Sequence, residues 1–256
     1  MKTVILAGGH GTRIFEETER IPKPMIEISG MPILWHIMKE FSQYNYNDFI
    51  ICAGYKQEYI KQWFANYFIN SSDVTFNYRE GNEIIFHKSK AEQWKVTIID
   101  TGYNTTTGGR IKQIKDYIGK EPFFLTYGDG LSDININKLY EYHKSHGKIA
   151  TLTSVRQKPD KGIVEIDKNN TVIDFREKDS MDYVTINGGY MVMEPEIFNY
   201  IDGDSCSLEH DTLKILAKEG QLKAYPYTGF WQSMDCLRDK LYLEELVKKG
   251  FSPWLK

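Results

Sequence analysis

Cysteine is scarce in this 256-residue chain: Cys52, Cys206 and Cys236 are the only three. An odd count with no C-x-x-C argues against a disulfide framework or a zinc site and predicts buried free thiols in a reducing compartment. Excess charge of one sign is also missing. Lys and Arg number 32 against 35 Asp and Glu, a net charge of −3, so no global field draws the chain to nucleic acid or an anionic membrane. Any anionic ligand must be met by a local cluster of cations and backbone N–H groups. No apolar run approaches the roughly 20 residues of a membrane span. The opening segment, Met1-Lys2-Thr3-Val4-Ile5-Leu6-Ala7-Gly8-Gly9, lacks the long h-region and small-residue cleavage site of a signal peptide. Low-complexity tracts, fixed-period repeats and a Pro/Ser-rich linker are absent too. These absences predict a single cytoplasmic domain over residues 1–256, with neither membrane nor nucleic acid as partner.

What is present is an alternation. Hydrophobic residues make up 41% of the chain, ample for a continuous core. Strand-length apolar runs alternate with helix-period stretches, which predicts a Rossmann-like α/β fold, a mostly parallel sheet flanked by helices. Pro32 opens a helix with the stripe Ile33, Leu34, Ile37, Met38 and Phe41. A second helix carries Tyr59, Ile60, Trp63, Phe64, Tyr67 and Phe68, an aromatic stripe read as core. Between about 72 and 100 the rhythm breaks. Val74, Phe76 and Tyr78 alternate with polar neighbours, and runs at 84–86 and 96–99 follow, so the segment reads as an antiparallel β insertion. A helix near 110–118 precedes the apolar strand at 123–127. The second half, with strands near 149–155, 163–166, 171–176 and 186–193 and helices near 207–219 and 237–249, reads as a C-terminal antiparallel substrate lobe.

Six segments carry chemistry. Leu6-Ala7-Gly8-Gly9-His10-Gly11-Thr12-Arg13 puts three glycines after a buried strand, so successive N–H groups can converge on a ligand, with Thr12 and Arg13 suited to a polyphosphate. It fits neither a P-loop nor G-x-G-x-x-G. A strand-to-loop turn alone explains the glycines but not the Thr-Arg pair. Pro22-Lys23-Pro24 holds a lysine on a stiffened, non-helical segment; alone it would be a plain turn, but after a phosphate cradle it suits a phosphate gaining charge. Tyr127-Gly128-Asp129-Gly130 places a carboxylate at a strand's carboxyl end, where ligands of open α/β sheets lie and where a hard divalent cation can be held. A second carboxylate is needed, and Asp235 is the candidate, with a helix cap as its plainer reading. In the second half, Glu177-Lys178 would ordinarily be a solvated pair, and Asn187-Gly188-Gly189 predicts a bulge or a close approach of backbone to ligand.

These motifs, with Ile186 before Asn187 and Met234 before Asp235, occur in the same order in sugar-1-phosphate nucleotidylyltransferases, which the chain resembles over nearly its whole length. Segments 32–38, 64–68, 73–76, 101–102, 107–110, 230–232 and 237–240 resemble its CTP-using branch. The resemblance implies a nucleotidyltransferase fold of the glycosyltransferase-A-like kind, with a CTP-binding half at about 1–148 and an acceptor half at about 149–256. It implies that Leu6, Ala7, Gly8, Gly9, Gly11, Thr12 and Arg13 hold the triphosphate and Lys23 neutralises the α-phosphate. Asp129 and Asp235 would carry Mg²⁺, and Gly109 and Arg110 would meet the cytidine. Glu177, Lys178, Asn187 and Gly188 would hold a phosphorylated acceptor, with glucose 1-phosphate as the default and CDP-glucose and pyrophosphate as products. The β insertion implies a homo-oligomer.

Two departures fall on the acceptor side. Asp179 stands where the family has Pro after Glu-Lys, and Ser233 stands where it has Pro before Met-Asp. They keep a different, charged or amine-bearing phosphorylated acceptor open. A glycosyltransferase is disfavoured because Asp129 is followed only by Asp133, without D-x-D. A non-catalytic nucleotide-binding regulator is disfavoured because Lys23 and both aspartates persist.

Overall fold

Thr3–Ala7 (β1) carries no charge and is buried along its whole length, so it can only be a central strand. The computed structural model describes residues 1–9, 21–79, 81–158, 161–177 and 183–255. Among these, β1 lies inside a seven-stranded sheet with Asp48–Ala53 (β2), Lys95–Asp100 (β3), Phe123–Tyr127 (β4), Ala150–Gln157 (β5), Val184–Met193 (β6) and Leu222–Tyr227 (β7). The strand order is β7-β5-β6-β4-β1-β2-β3. β6 runs antiparallel to both its neighbours, while the other four pairings are parallel. The expected mostly parallel α/β sheet is therefore present.

Alternation along the strands divides the core into two layers. Ile5, Phe49, Ile51 and Phe124 face helices Ile33–Ser42 (α1), Ile136–His146 (α4) and Leu237–Lys248 (α5). Val4, Leu6, Ile50 and Leu125 face the opposite layer, which includes Ile111 of helix Thr107–Gln113 (α3). Pro32 caps α1, and its stripe of Ile33, Leu34, Ile37, Met38 and Phe41 is buried as the spacing predicts. Each of these side chains contributes about 1.5–3 kcal/mol by leaving water, so Phe41→Ala would cost about 3–5 kcal/mol.

Four local readings need correction. The β insertion is narrower than 72–100: Ser72–Asn77 pairs with Glu83–Ser89 as a hairpin, whereas β3 lies parallel to β2 at the sheet edge. An edge strand half covered on both faces looks, in sequence, like an antiparallel one. The aromatic stripe on Gln57–Asn70 (α2) is only partly core, since Ile60 alone is buried there. Tyr67 instead stacks on Trp94, and Phe68 packs against Phe86 of the hairpin. The helix near 110–118 is two pieces, α3 and Lys115–Ile118. β7 was not foreseen; Pro226 within it suits an edge strand, which β7 is.

Asn187-Gly188-Gly189 is the predicted irregularity. The register between β5 and β6 jumps from Leu152↔Met191 to Ser154↔Asn187, so β6 bulges there. Gly189 adopts φ 81°, and a side chain on it would strike the Tyr127 ring.

Candidate active site

The carboxyl ends of β1 and β4 open into a cavity of about 590 Å³, within the usual range for small-ligand sites. Leu6, Ala7, Gly8 and Gly9 form one wall, with Lys23, Tyr127, Gly128, Asp129 and Asp235 around it. Gly11, Thr12, Arg13 and Lys178 lie outside the described residues.

Packing places Lys23. Gly128 lies under Pro24, whose Cγ would be 3.0 Å from an added Cβ, so the proline loop docks on the strand end only because position 128 has no side chain. The segment expected to be non-helical is a 3-10 turn, Lys23–Met25, closed by Met25 N–H to the Pro22 carbonyl at 2.8 Å. Proline is tolerated there because first-turn N–H groups need no helical partner.

Asp235 is brought to Asp129 by a short β pairing. Trp231–Ser233 runs antiparallel to Gly130–Ser132, and Met234 N–H donates to the Asp129 carbonyl at 2.8 Å. The helix cap falls one residue later, on Cys236, while Asp239 accepts from the backbone N–H groups of Asp235 and Cys236. Asp235 is thereby oriented without being used as the cap.

The two carboxylates converge on one ammonium. Lys23 Nζ donates to Asp129 Oδ2 at 2.7 Å and to Asp235 Oδ1 at 2.9 Å. Burial opposes the lysine's charge, but the two aspartates outweigh it and hold its pKa above the usual value. Ser233 Oγ donates to Asp235 Oδ2 at 2.8 Å. Two hard oxygen donors that both reach one small cation are a donor set that fits Mg²⁺, with phosphate oxygens completing it.

Arg110 does something other than expected. It is 4% exposed, and its Nη1 donates to the carbonyls of Ala53 and Gly102 and to Thr101 Oγ1, while Nη2 donates to the Gly8 carbonyl at 2.9 Å. A guanidinium committed in this way braces the glycine loop, while Arg110 also lines the cavity. Gly109 also packs against the chain itself: an added Cβ would lie 2.4 Å from the Asp204 carbonyl oxygen.

The outer wall holds residues that the motif reading missed: Thr105, Thr106, Thr107, Ser207, Glu209 and His210. Glu209 accepts from Thr107 Oγ1 at 2.6 Å, Tyr127 Oη at 2.5 Å and Ser207 Oγ at 3.0 Å. Burial works to raise this carboxyl's pKa, but those hydroxyls outweigh it and hold it below the usual range. Glu209 belongs to a π-helical turn, Leu208–Thr212, capped by Ser207, and the cap was the available sequence signal.

Asn187 and Gly188 line a smaller recess of about 40 Å³ that shares Tyr127 and Asp129 with the main cavity. Asn187 Oδ1 accepts from Gly189 N–H, and Trp231 Nε1 donates to the Gly188 carbonyl at 2.7 Å. Glu177 is not brought to these groups: it is exposed, and its carboxylate lies over Gly162.

Comparison with known proteins adds a family. The family model for nucleotidyl transferases matches residues 2–233. Glucose-1-phosphate cytidylyltransferases of Salmonella typhimurium and Salmonella typhi are each 49% identical over 255 residues, covering 99% of this chain and 98% of theirs. The crystal structure of HddC from Yersinia pseudotuberculosis aligns with a TM-score of 0.70 at 25% identity, over 96% of this chain and 99% of that one.

Proposed function

The chain belongs to the nucleotidyl transferase family, and we propose that it joins CTP to glucose 1-phosphate, giving CDP-glucose and pyrophosphate. The observation that carries this reading is Lys23 held between Asp129 and Asp235 beneath the β1 loop, in a chain half identical to two proteins of that name.

The chemistry follows from charge. A phosphomonoester has a second pKa of about 6, so near pH 7 the acceptor oxygen is already an anionic nucleophile and needs no general base. It attacks the α-phosphorus of CTP; the bond to the bridging β-phosphate oxygen breaks, and pyrophosphate departs with that electron pair. The protein's task is to bring two anions together in line and to stabilise the charge that develops. Lys23, cationic between its two aspartates, would meet the α-phosphate. Asp129 and Asp235 would hold Mg²⁺, which when bound neutralises phosphate charge as a Lewis acid. Arg13 and Lys178 are assigned to the departing pyrophosphate and the incoming phosphate. Thr105 would offer its hydroxyl to the cytosine edge, beside Thr106 and Thr107, whose hydroxyls are held by Asp204, Cys206 and Glu209, while Arg110 fixes the Gly8 carbonyl. Asn187 and Gly188 border the acceptor.

The chain is assigned to the cytoplasm, and no helix among the described residues is long and apolar enough to cross a membrane. Pyrophosphate release with glucose 1-phosphate, Mg²⁺ and each of CTP, UTP, GTP and dTTP tests the nucleotide assignment. CTP should exceed each of the others by at least about a hundredfold in kcat/KM, well within the roughly 10⁴–10⁵ that buried polar contacts can reach. Equal use of UTP would refute it.

A further inference from the structure

A second cavity, of about 430 Å³, opens beyond the acceptor recess and takes no part in the proposed reaction. Its walls are Arg156, Gln157 and Lys158 from the end of β5, Tyr183, and Tyr227 to Gln232 in part. Arg156 lies over the Tyr183 ring at 4.8 Å, and Lys158 Nζ is 5.9 Å from the same ring. Two cations are thus gathered at one aromatic face.

Among the described residues, no Asp or Glu lines this cavity. Asp133 lies behind the Tyr227 wall, where its carboxylate accepts from the Tyr227 hydroxyl and from Phe230 N–H. Gln157, Thr228 and Gln232 add amide and hydroxyl groups, and Trp231 and Tyr183 supply flat apolar surface. Among the described residues, the two cations, the neutral hydrogen-bonding groups and the aromatic walls together match a small anion attached to a ring.

We propose that this cavity is a second, non-catalytic binding site for a phosphate-bearing small molecule, its phosphate held between Arg156 and Lys158. Trp231 is the partition. The indole lines both this cavity and the acceptor recess, and its N–H holds the Gly188 carbonyl. A ligand in the second cavity therefore presses on the same ring that borders the acceptor.

Calorimetry on the full chain tests the site after saturation with CDP-glucose, so that the catalytic pocket is filled. That saturation is followed in its own titration, where a failure of the functional reading would show separately. Inorganic phosphate and glucose 6-phosphate are then the probes. The expected result is one phosphate per chain, weakened at least about tenfold in Arg156→Ala/Lys158→Ala by loss of charge-assisted hydrogen bonds. Turnover of that variant in phosphate-free buffer should be unchanged. Tighter binding of glucose 6-phosphate identifies a ring-bearing ligand, and equal affinity identifies free phosphate. The proposal is overturned by no binding to product-filled protein, or by full affinity in the double variant. A raised KM for glucose 1-phosphate in that variant also overturns it, because the cations would then belong to the acceptor site.

Discussion

The hydroxyl of Tyr190 on β6 and the carboxyl of Glu40 on α1 are hydrogen-bonded beneath the strand end that bears Asp129, although 150 residues separate them. Glu40 is 3% exposed and also accepts from Ser132 N–H at 2.8 Å. The Tyr190 hydroxyl lies 3.0 Å from the Gly130 carbonyl as well. One hydroxyl proton cannot serve both acceptors. Burial raises the Glu40 pKa well above its usual value, the direction that favours an acid able to donate to Tyr190 and so free the tyrosine proton for Gly130. The short Gly130–Ser132 strand is thereby anchored beside the proposed metal site.

Glu40→Gln preserves this pattern, because its amide N–H₂ replaces the acid proton. A folded-state pKa raised above 4.5 means that the wild type loses stability as pH rises from there. The variant should therefore melt above the wild type at pH 8, by a margin that shrinks toward pH 5. Glu40→Leu should cost about 1–3 kcal/mol for each polar group left unpaired. Thermal melts at the two pH values check both, and a Gln variant less stable at pH 8 than at pH 5, relative to wild type, would contradict the protonated acid.

Gly109→Ala should lose about 1–3 kcal/mol of stability, because the added methyl meets the Asp204 backbone, which cannot swing away. Gly8→Ala should instead act through Arg110, whose Nη1 lies 2.2 Å from the added Cβ. It should displace the guanidinium from the Gly8 carbonyl and cut activity more than stability. Chemical denaturation beside CTP kinetics separates the two.

His143 predicts a pH effect of the opposite sign. His146 Nδ1 accepts from Lys148 N–H at 3.0 Å, so its Nε2–H donates to Thr151 Oγ1. The Thr151 hydroxyl then donates to His143 Nδ1, leaving Nε2–H for Glu194 Oε1 at 3.2 Å. Burial pushes the His143 pKa down to about 4 from 6.5. Its stabilising contribution is whole above pH 6.5 and is lost as pH falls toward 4. The stability advantage of wild type over His143→Gln should shrink by about 2 kcal/mol across that window. An advantage independent of pH would mean the ring titrates normally.

The 72–89 hairpin should be an interface between copies. Phe76, Tyr78, Ile84, Ile85 and Phe86 are all exposed on it, as is Phe68 of α2 beside it. That is more clustered apolar surface than a monomer usually shows. Light scattering at micromolar concentration should give a multiple of 29.8 kDa, and Phe76→Glu/Phe86→Glu should reduce it. A wild-type monomer would end this reading.

Part of the Lys23–Asp129–Asp235 cluster was legible because glycine, proline and carboxylate types at strand ends have local meanings. Asp129 follows from its place at a strand end and Lys23 from its position after the glycine loop, whereas Asp235 alone reads as a helix cap and joined them only through the family resemblance. Glu209 was not legible, since a carboxylate in a helical turn near residue 208 looks like a solvated charge until the fold carries it to Tyr127. The structural commitments of Arg110 were hidden for a related reason. Sequence shows that a cation stands beside the glycines, but not that four backbone and hydroxyl oxygens already surround it. The edge strand β3 was grouped with the hairpin because its four central residues are all only half-buried, so the run does not show the fully buried character of an inner parallel strand.

The most direct test of the account is the specificity constant for glucose 1-phosphate at saturating CTP and Mg²⁺, with the product identified by mass as CDP-glucose. The account predicts at least about 10⁴ M⁻¹ s⁻¹, the lower edge of ordinary enzyme efficiency. A value under about 10² M⁻¹ s⁻¹ in folded protein that binds CTP would mean that the acceptor is not glucose 1-phosphate.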